Sequence, residues 1–546
     1  MEPRHDGASC RKRLFEIRRR SRRADRRLVK RIVRQFVKDP SAQLQIPSRP
    51  SALRATGFGF GIALPIVVLI GSLGLFHDAF SYDDDEGLNV MKALLVLRGH
   101  ELYTEIWNDQ PPVFTYLLTG AFRLPGESNS VARCLVAVFA WVLVGSLCTI
   151  VVRLEGLLAG VATAGLLVSS LYFVRLSFSA MIGLPSLALA TAALWGLIEY
   201  RLTARRWAVA LSAVAIALAM QTKLSAALVV PVMLLAMFIP WPGAASISLA
   251  RRVAAVGAWL LGAAALFFAI LFSLGARPSD LLNPHLKARE GSSFISRDAR
   301  PWLVKIRKET PHLLLLAAAS VPLIALGRRP PDKVRPVWRV LPLAWMGLAF
   351  LVLREHRPFW YHHVLLLSVP LAWAGGAGVR DLADLARGKL HTQFAWRAAG
   401  AMLLLAATAW CGYRAVIEIG RLNRAPGAGE VELVDRIAAV GAESSWIYTD
   451  KLVYAVRARR LVPPALAIMS AKRAAVGELS NDTILSALRQ HDVRVVALSR
   501  SNQSVTFRAA LEQEYRLDWQ TPSTRDEKPT QLELWIKRSP ADQMER

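Results

Sequence analysis

Apolar residues in this chain gather in long blocks instead of alternating with polar ones. The blocks lie near 58–77, 130–152, 157–174, 181–199, 207–221, 224–239, 253–275, 312–327, 340–354, 363–379 and 398–418. Most approach or exceed the roughly 18 apolar residues that a helix needs to cross hydrocarbon, so the pattern predicts about eleven membrane spans. Between the first two spans lies a long segment, 78–129. Within it Glu86 to Arg98 places Leu88, Met91, Leu94 and Leu95 at helical spacing on one side, which predicts an amphipathic helix lying in the membrane interface. Pro111-Pro112 ends what precedes it and opens the apolar stretch Val113 to Phe122. After about residue 420 the pattern shifts. Strand-like runs at Trp446–Tyr448, Val493–Leu498 and Leu532–Ile536 are separated by helical stretches 430–441, 480–490 and 504–514, with Asn481-Asp482-Thr483 as the cap of the second helix. The expected fold is mainly α: a polytopic transmembrane helical bundle with a small C-terminal α/β extracytoplasmic domain. Its expected boundaries are a basic cytoplasmic tail 1–55, a transmembrane domain 56–419 and the external domain 420–546.

Composition narrows the class further. The 546 residues are 53% hydrophobic and only 20% charged, which excludes a disordered chain or a collagen-like fibre. Of the four cysteines, Cys10 lies in the basic tail while Cys134, Cys148 and Cys411 lie in apolar runs, so none is placed to staple an external domain. Sixty-eight Lys and Arg against 41 Asp and Glu leave a net charge of +27. Residues 1–55 hold 17 of the basic residues and 5 of the acidic ones, too long a basic region for the start of a signal peptide. Beside a first span it reads as a cytoplasmic topology determinant touching anionic lipid, in preference to a nucleic-acid arm.

Counting outward from that tail, the inside loops carry Arg201/Arg205/Arg206, Arg251/Arg252, Arg328 to Arg339 and Arg380 to Arg397, as the positive-inside rule requires. This predicts a multi-pass inner-membrane protein with its N-terminus cytoplasmic and its C-terminal domain outside. One outside loop departs from the rule, with Arg277, Lys287, Arg289, Arg297, Arg300, Lys305, Arg307 and Lys308 between Gly275 and His312. Either a helix is miscounted or this loop is a basic surface for a phosphate-bearing ligand.

The chemistry concentrates after the first span, where Asp83-Asp84-Asp85-Glu86 puts four carboxylates in a row at the membrane boundary. Glu101, Tyr103, Trp107, Asp109 and Gln110 follow, then the two prolines. Asp85-Glu86, Ala93, Gly99, Tyr103, Trp107 and Pro111-Pro112, at these spacings, resemble the first external loop of the GT-C superfamily of membrane glycosyltransferases. Within it, the likeness is to the branch of bacterial protein mannosyltransferase-like enzymes and the lipid A aminoarabinose transferase. The resemblance implies transfer of a sugar from a polyprenyl-phosphate donor, on the outer face of the membrane, to an acceptor glycan, lipid or protein. It implies Asp85 as catalytic base with Glu86 supporting it, and Asp84, Asp109, Gln110 and Tyr103 around the substrates. Gln110 stands where such enzymes often carry a Lys, so the phosphate contacts do not transfer directly.

The reaction needs a base for the acceptor proton and positive charge for the departing lipid phosphate. The candidate cations are Lys223, Arg354 and Arg357, with His362, His363 and His285. Adjacent aspartates also bind divalent metals in other phosphate-handling sites, but the branch resembled works by acid–base and cationic stabilisation, so no cofactor is expected. No glycine-rich phosphate loop appears among the C-terminal strands, so nothing there suggests nucleotide binding. A transporter or lipid flippase is the competing class, and it requires ionisable residues in mid-span; the blocks here carry almost none away from their ends.

Overall fold

The computed structural model describes residues 51–73, 79–241, 245–290, 314, 317, 337–355, 361–387, 394–423, 426–440, 445–499, 505–523 and 530–538. The tail before residue 51, nearly all of the block 312–327, the basic residues from Arg297 to Lys308, and Arg357 lie outside the described residues.

Ten of the eleven apolar blocks are helical among the described residues. The chain runs through α1 (Ala52–Leu73), two loop helices α2 (Asp84–Leu97) and α3 (Val113–Arg123), and then α4 (Asn129–Glu155), α5 (Leu157–Val168) and the short α6 (Leu171–Leu176). It continues through α7 (Gly183–Thr203), α8 (Arg206–Thr222), a 3-10 turn Leu224–Val229, α9 (Val230–Phe238), α10 (Leu249–Ser273) and α11 (Pro278–Glu290). After the undescribed stretch come α12 (Val340–Glu355), a 3-10 turn Tyr361–Val364, α13 (Leu365–Ala386) and α14 (Phe394–Leu422). Six of these helical segments, in α1, α4, α10, α12, α13 and α14, are long and apolar enough to cross a membrane.

α4 forms the centre of the bundle and packs against α1, α5 and α7. Gly59 of α1 permits the closest approach, because a Cβ there would strike Thr149 and the Gly145 carbonyl of α4. At the periphery the apolar side chains turn outward: Leu261 of α10 and Leu405 of α14 are 74% and 71% exposed, a face suited to lipid. α4 also carries buried ion pairs at both of its ends. Arg133 near its start pairs with Glu86, while near its end Arg153 pairs with Glu199 and Glu155 pairs with Arg339 and Arg380.

The C-terminal segment forms α15 (Ala428–Ala439), β1 (Ile447–Thr449), α16 (Leu452–Arg457), α17 (Ala471–Ala475), α18 (Asn481–Gln490), β2 (Val495–Leu498), α19 (Val505–Glu514), β3 (Tyr515–Ser523) and β4 (Thr530–Lys537). The four strands lie in the order β1-β2-β4-β3; β1 and β2 are parallel, and β4 is antiparallel to both its neighbours. The mainly helical bundle with a small C-terminal sheet is therefore present as expected. β3 is an addition, whose alternation is interrupted by a bulge between Leu517 and Trp519. The cap of α18 is Ser480, whose hydroxyl accepts the Thr483 N–H, so Asn481-Asp482-Thr483 form the first turn instead of the cap.

The largest departure concerns α2. It is not a helix lying in the interface with one side free, because both of its sides are covered. Met91 and Leu95 enter a core with Ile447, Leu452 and Val453 of the C-terminal segment, whereas Val90, Ala93 and Leu94 join the core of the bundle. Gly87 makes this possible: a Cβ there would run into the Leu452–Val453 backbone.

Candidate active site

The chain entering α2 is fixed from two directions. Arg133 of α4 donates to both oxygens of Glu86, at 2.8 and 2.9 Å, and to the Ala79 carbonyl at 2.8 Å. From the C-terminal segment, Arg457 donates to the Ala79 and Phe80 carbonyls and lies over the Phe80 ring. Glu86 is 2% exposed and also accepts the N–H groups of Tyr82 and Ala180. Both of its oxygens are thus engaged in holding the loop. Asp83, the first of the four carboxylates, is buried and caps α2, accepting the Asp85 N–H at 2.9 Å. Asp85 stands exposed in the first turn of α2, where the helix dipole favours a carboxylate. Its carbonyl accepts from Asn89, which also reaches the Ala180 carbonyl. The Asp84 side chain lies outside the described residues.

Two turns further along α2 is a residue the sequence reading passed over. Lys92 is only 2% exposed, and its ammonium donates to Asn108 Oδ1 at 3.2 Å. Burial pushes it down to about 8, while the Asp109 and Asp85 carboxylates oppose that shift. The one available signal was a lysine inside the apolar side of a predicted amphipathic helix.

Tyr103 occupies a left-handed conformation at φ 72°, and its hydroxyl donates to the Gln110 carbonyl at 2.7 Å. Asn108 donates to the same carbonyl, so the backbone before the two prolines is tied into a tight loop. Burial raises the Tyr103 phenol well above its ordinary range, so it acts as a hydrogen-bond donor throughout the working pH range. Asp109 is 9% exposed and pairs with Lys472 of α17 at 2.5 Å. Trp107 donates to Glu478 and lies beneath the Arg473 guanidinium. The C-terminal segment therefore brings its own cation onto the first loop, a contribution no local sequence pattern announces.

Lys223 follows α8 directly, and the charges acting on it are Asp85, Lys472 and Asp109. Asp85 and Asp109 thus share one neighbourhood with Lys92, Lys223 and Lys472. Arg354 lies in the last turn of α12, which packs on the 3-10 turn after Lys223. His362 and His363, with ring centroids 4.4 Å apart, lie on the turn that packs against α6. α6 in turn supplies Arg175, which donates to the Tyr82 carbonyl. The side chain of His285 on α11 is outside the described residues. Among the described residues no three His, Cys, Asp or Glu side chains gather as a metal-ligand set.

A helical bundle carrying a small sheet domain over its first loop defines a polytopic membrane protein with the GT-C fold. Residues 109–274, from Asp109 through α10, match the family described as dolichyl-phosphate-mannose-protein mannosyltransferase. In shape the chain is similar to ArnT from Cupriavidus metallidurans bound to undecaprenyl phosphate, with a TM-score of 0.56 at 14% identity over 87% of this chain and 98% of that one. The apo state of the same protein gives a TM-score of 0.55 at 14% identity, with the same coverage of both chains. Among curated proteins no sequence matches.

Proposed function

We propose that the chain is a glycosyltransferase that moves a sugar from a polyprenyl-phosphate donor to a hydroxyl-bearing acceptor at the membrane surface. The observation that carries this reading is the exposed Asp85 held at the start of α2 beside three lysines. Undecaprenyl phosphate in the structurally similar ArnT and the mannosyltransferase description of the matching family support a lipid-phosphate donor.

In this mechanism the acceptor oxygen attacks the anomeric carbon and its proton passes to the Asp85 carboxylate. The bond from that carbon to the phosphate oxygen breaks, and polyprenyl phosphate leaves with the electron pair. A single displacement of this kind inverts the anomeric centre. Lys223 and Lys92 stabilise the charge gathering on the phosphate, with Arg354, His362 and His363 as further cationic candidates, and Arg357 and His285 as candidates on the sequence alone. Glu86 holds the chain entering α2, and with it the position of Asp85, through its bonds to Arg133 and to the Tyr82 N–H. Asp109, Gln110 and Tyr103 shape the wall of the substrate site, Asp109 through its bond to Lys472. No step requires a cofactor. The active site faces outward, and the C-terminal domain covers it from the extracytoplasmic side of the inner membrane, where it helps select the acceptor.

The test is turnover of a panel of polyprenyl-phosphate sugars by reconstituted protein. Asp85→Asn keeps shape and hydrogen bonding but removes the base, so the rate should fall by about a hundredfold or more. Lys223→Ala should instead weaken use of the donor, by roughly ten- to a hundredfold. Near-normal turnover in Asp85→Asn would reject the mechanism.

A further inference from the structure

At the end of the bundle away from Asp85, beside the ion pairs of Glu155 and Glu199, five arginines (Arg201, Arg205, Arg206, Arg251 and Arg252) make no ion pair among the described residues. Arg201, two residues before the end of α7, is 2% exposed. Its Nε and Nη1 have no hydrogen-bond partner, and Nη2 reaches only the Ile239 carbonyl at 3.4 Å. A buried guanidinium with two idle donors is costly unless something anionic satisfies them. The formal charge that acts on it is another cation, Arg252. Glu199, the carboxylate two residues before Arg201, is already paired with Arg153.

The surrounding backbone adds to the positive field. α8 opens at Arg206 with Arg205 as its cap residue, and α10 places Arg251 and Arg252 in its first turn; neither helix has an acid there. Arginine is the wrong sign for the positive end of a helix dipole, and here two such ends carry it. The Ala245 N–H donates to the Leu202 carbonyl, which joins the segment leading into α10 to the end of α7, and Arg252 Nε donates to the Ile247 carbonyl within that segment. Immediately beside these arginines, on the same two helices, Trp207, Leu249 and Val253 are more than half exposed. Positive charge bordered by exposed apolar side chains matches a molecule with an anionic head and an acyl tail.

We infer that the Arg201–Arg252 cluster between α7, α8 and α10 binds a phosphate group, and that this phosphate is the headgroup of an anionic phospholipid. The site lies at the opposite end of α7 from Ala180, which bonds Glu86 and Asn89 at the start of α2, so it is separate from the proposed reaction and independent of it.

The full-length protein would be reconstituted in discs of phosphatidylcholine and in discs that also contain phosphatidylglycerol. Lipid retained after extraction is counted by native mass spectrometry, and the thermal unfolding midpoint is recorded. The wild type should hold phosphatidylglycerol in preference to phosphatidylcholine by about ten- to a hundredfold, the worth of one charge-assisted contact. Arg201→Gln should lose one retained anionic lipid and the accompanying rise in midpoint, and Arg252→Gln should weaken both, so the test survives if Arg201→Gln does not fold. Arg98→Gln, at the other end, should keep both. The basic tail is present in every variant and cancels in the comparison. If inorganic phosphate raises the midpoint equally in phosphatidylcholine discs, the lipid assignment fails and the site takes soluble phosphate. Equal retention of both lipids by the wild type, or unchanged retention in Arg201→Gln and Arg252→Gln, overturns the site.

Discussion

Two residues on α2 lie only six positions apart and do opposite work with charge. Glu86 is a buried anion whose partner is present, and removing half of such a pair strands the other half. Glu86→Gln leaves Arg133 buried and incompletely matched, so unfolding should become easier by about 3–5 kcal/mol, measured by denaturation in detergent. Lys92 is a buried cation that donates to an amide oxygen instead of pairing directly with a carboxylate. Because burial lowers it from 10.5 to about 8, the unfolded chain binds a proton between those values that the folded protein does not. The sign follows from linkage: stability contributed by this group rises with pH across that window. Its use in holding the donor phosphate runs the other way, since the charge is lost as pH rises through about 8. The kcat/KM for the donor should therefore fall through that pH, and Lys92→Arg should abolish the fall because a guanidinium stays protonated. A flat profile in the wild type would remove Lys92 from the phosphate site.

At the scale of elements, the helix carrying the candidate base is defined by what lies on each side of it. The apolar spacing of Leu88, Met91, Leu94 and Leu95 announced a helix but not its surroundings. The same spacing serves a helix on a membrane and one wedged under a domain. Gly87 tells the two apart only once α16 is seen against it. Gly87→Ala should push α16 away at a cost of about 1–3 kcal/mol, detectable as faster proteolysis of the C-terminal segment. If the cut rate is unchanged, the two elements are not pressed together as described. The terminal contacts repeat the lesson: Lys472 on Asp109 and Glu478 on Trp107 join positions more than three hundred residues apart. No periodicity encodes such a pair, because pairing across that distance is set by how whole layers stack.

For the whole molecule, the first loop and the sheet domain share one end of the bundle, joined through α2 and α16. Single cysteines at Leu124 and Asp518, both exposed, should both react with an impermeant thiol reagent in intact cells when the native cysteines are replaced. Labelling of one without the other would contradict the docking, and labelling of neither would reverse the orientation of the protein.

Local chemistry in the sequence determined most of the helices, the break at Pro111-Pro112, three of the four strands and the position of the Asp-Glu pair. Each depends on hydrophobic period, on proline geometry or on a short motif, all properties of neighbouring residues. Tertiary structure alone decided which charges answer one another. It made Glu86 an anchor instead of an open carboxylate, turned Asp83 into a cap, buried Lys92 beside the aspartates and brought Lys472 from a distant domain. Those outcomes depend on burial and on the sign of the nearest charge. A linear pattern records neither, since both arise only when separate segments exclude water from the same space.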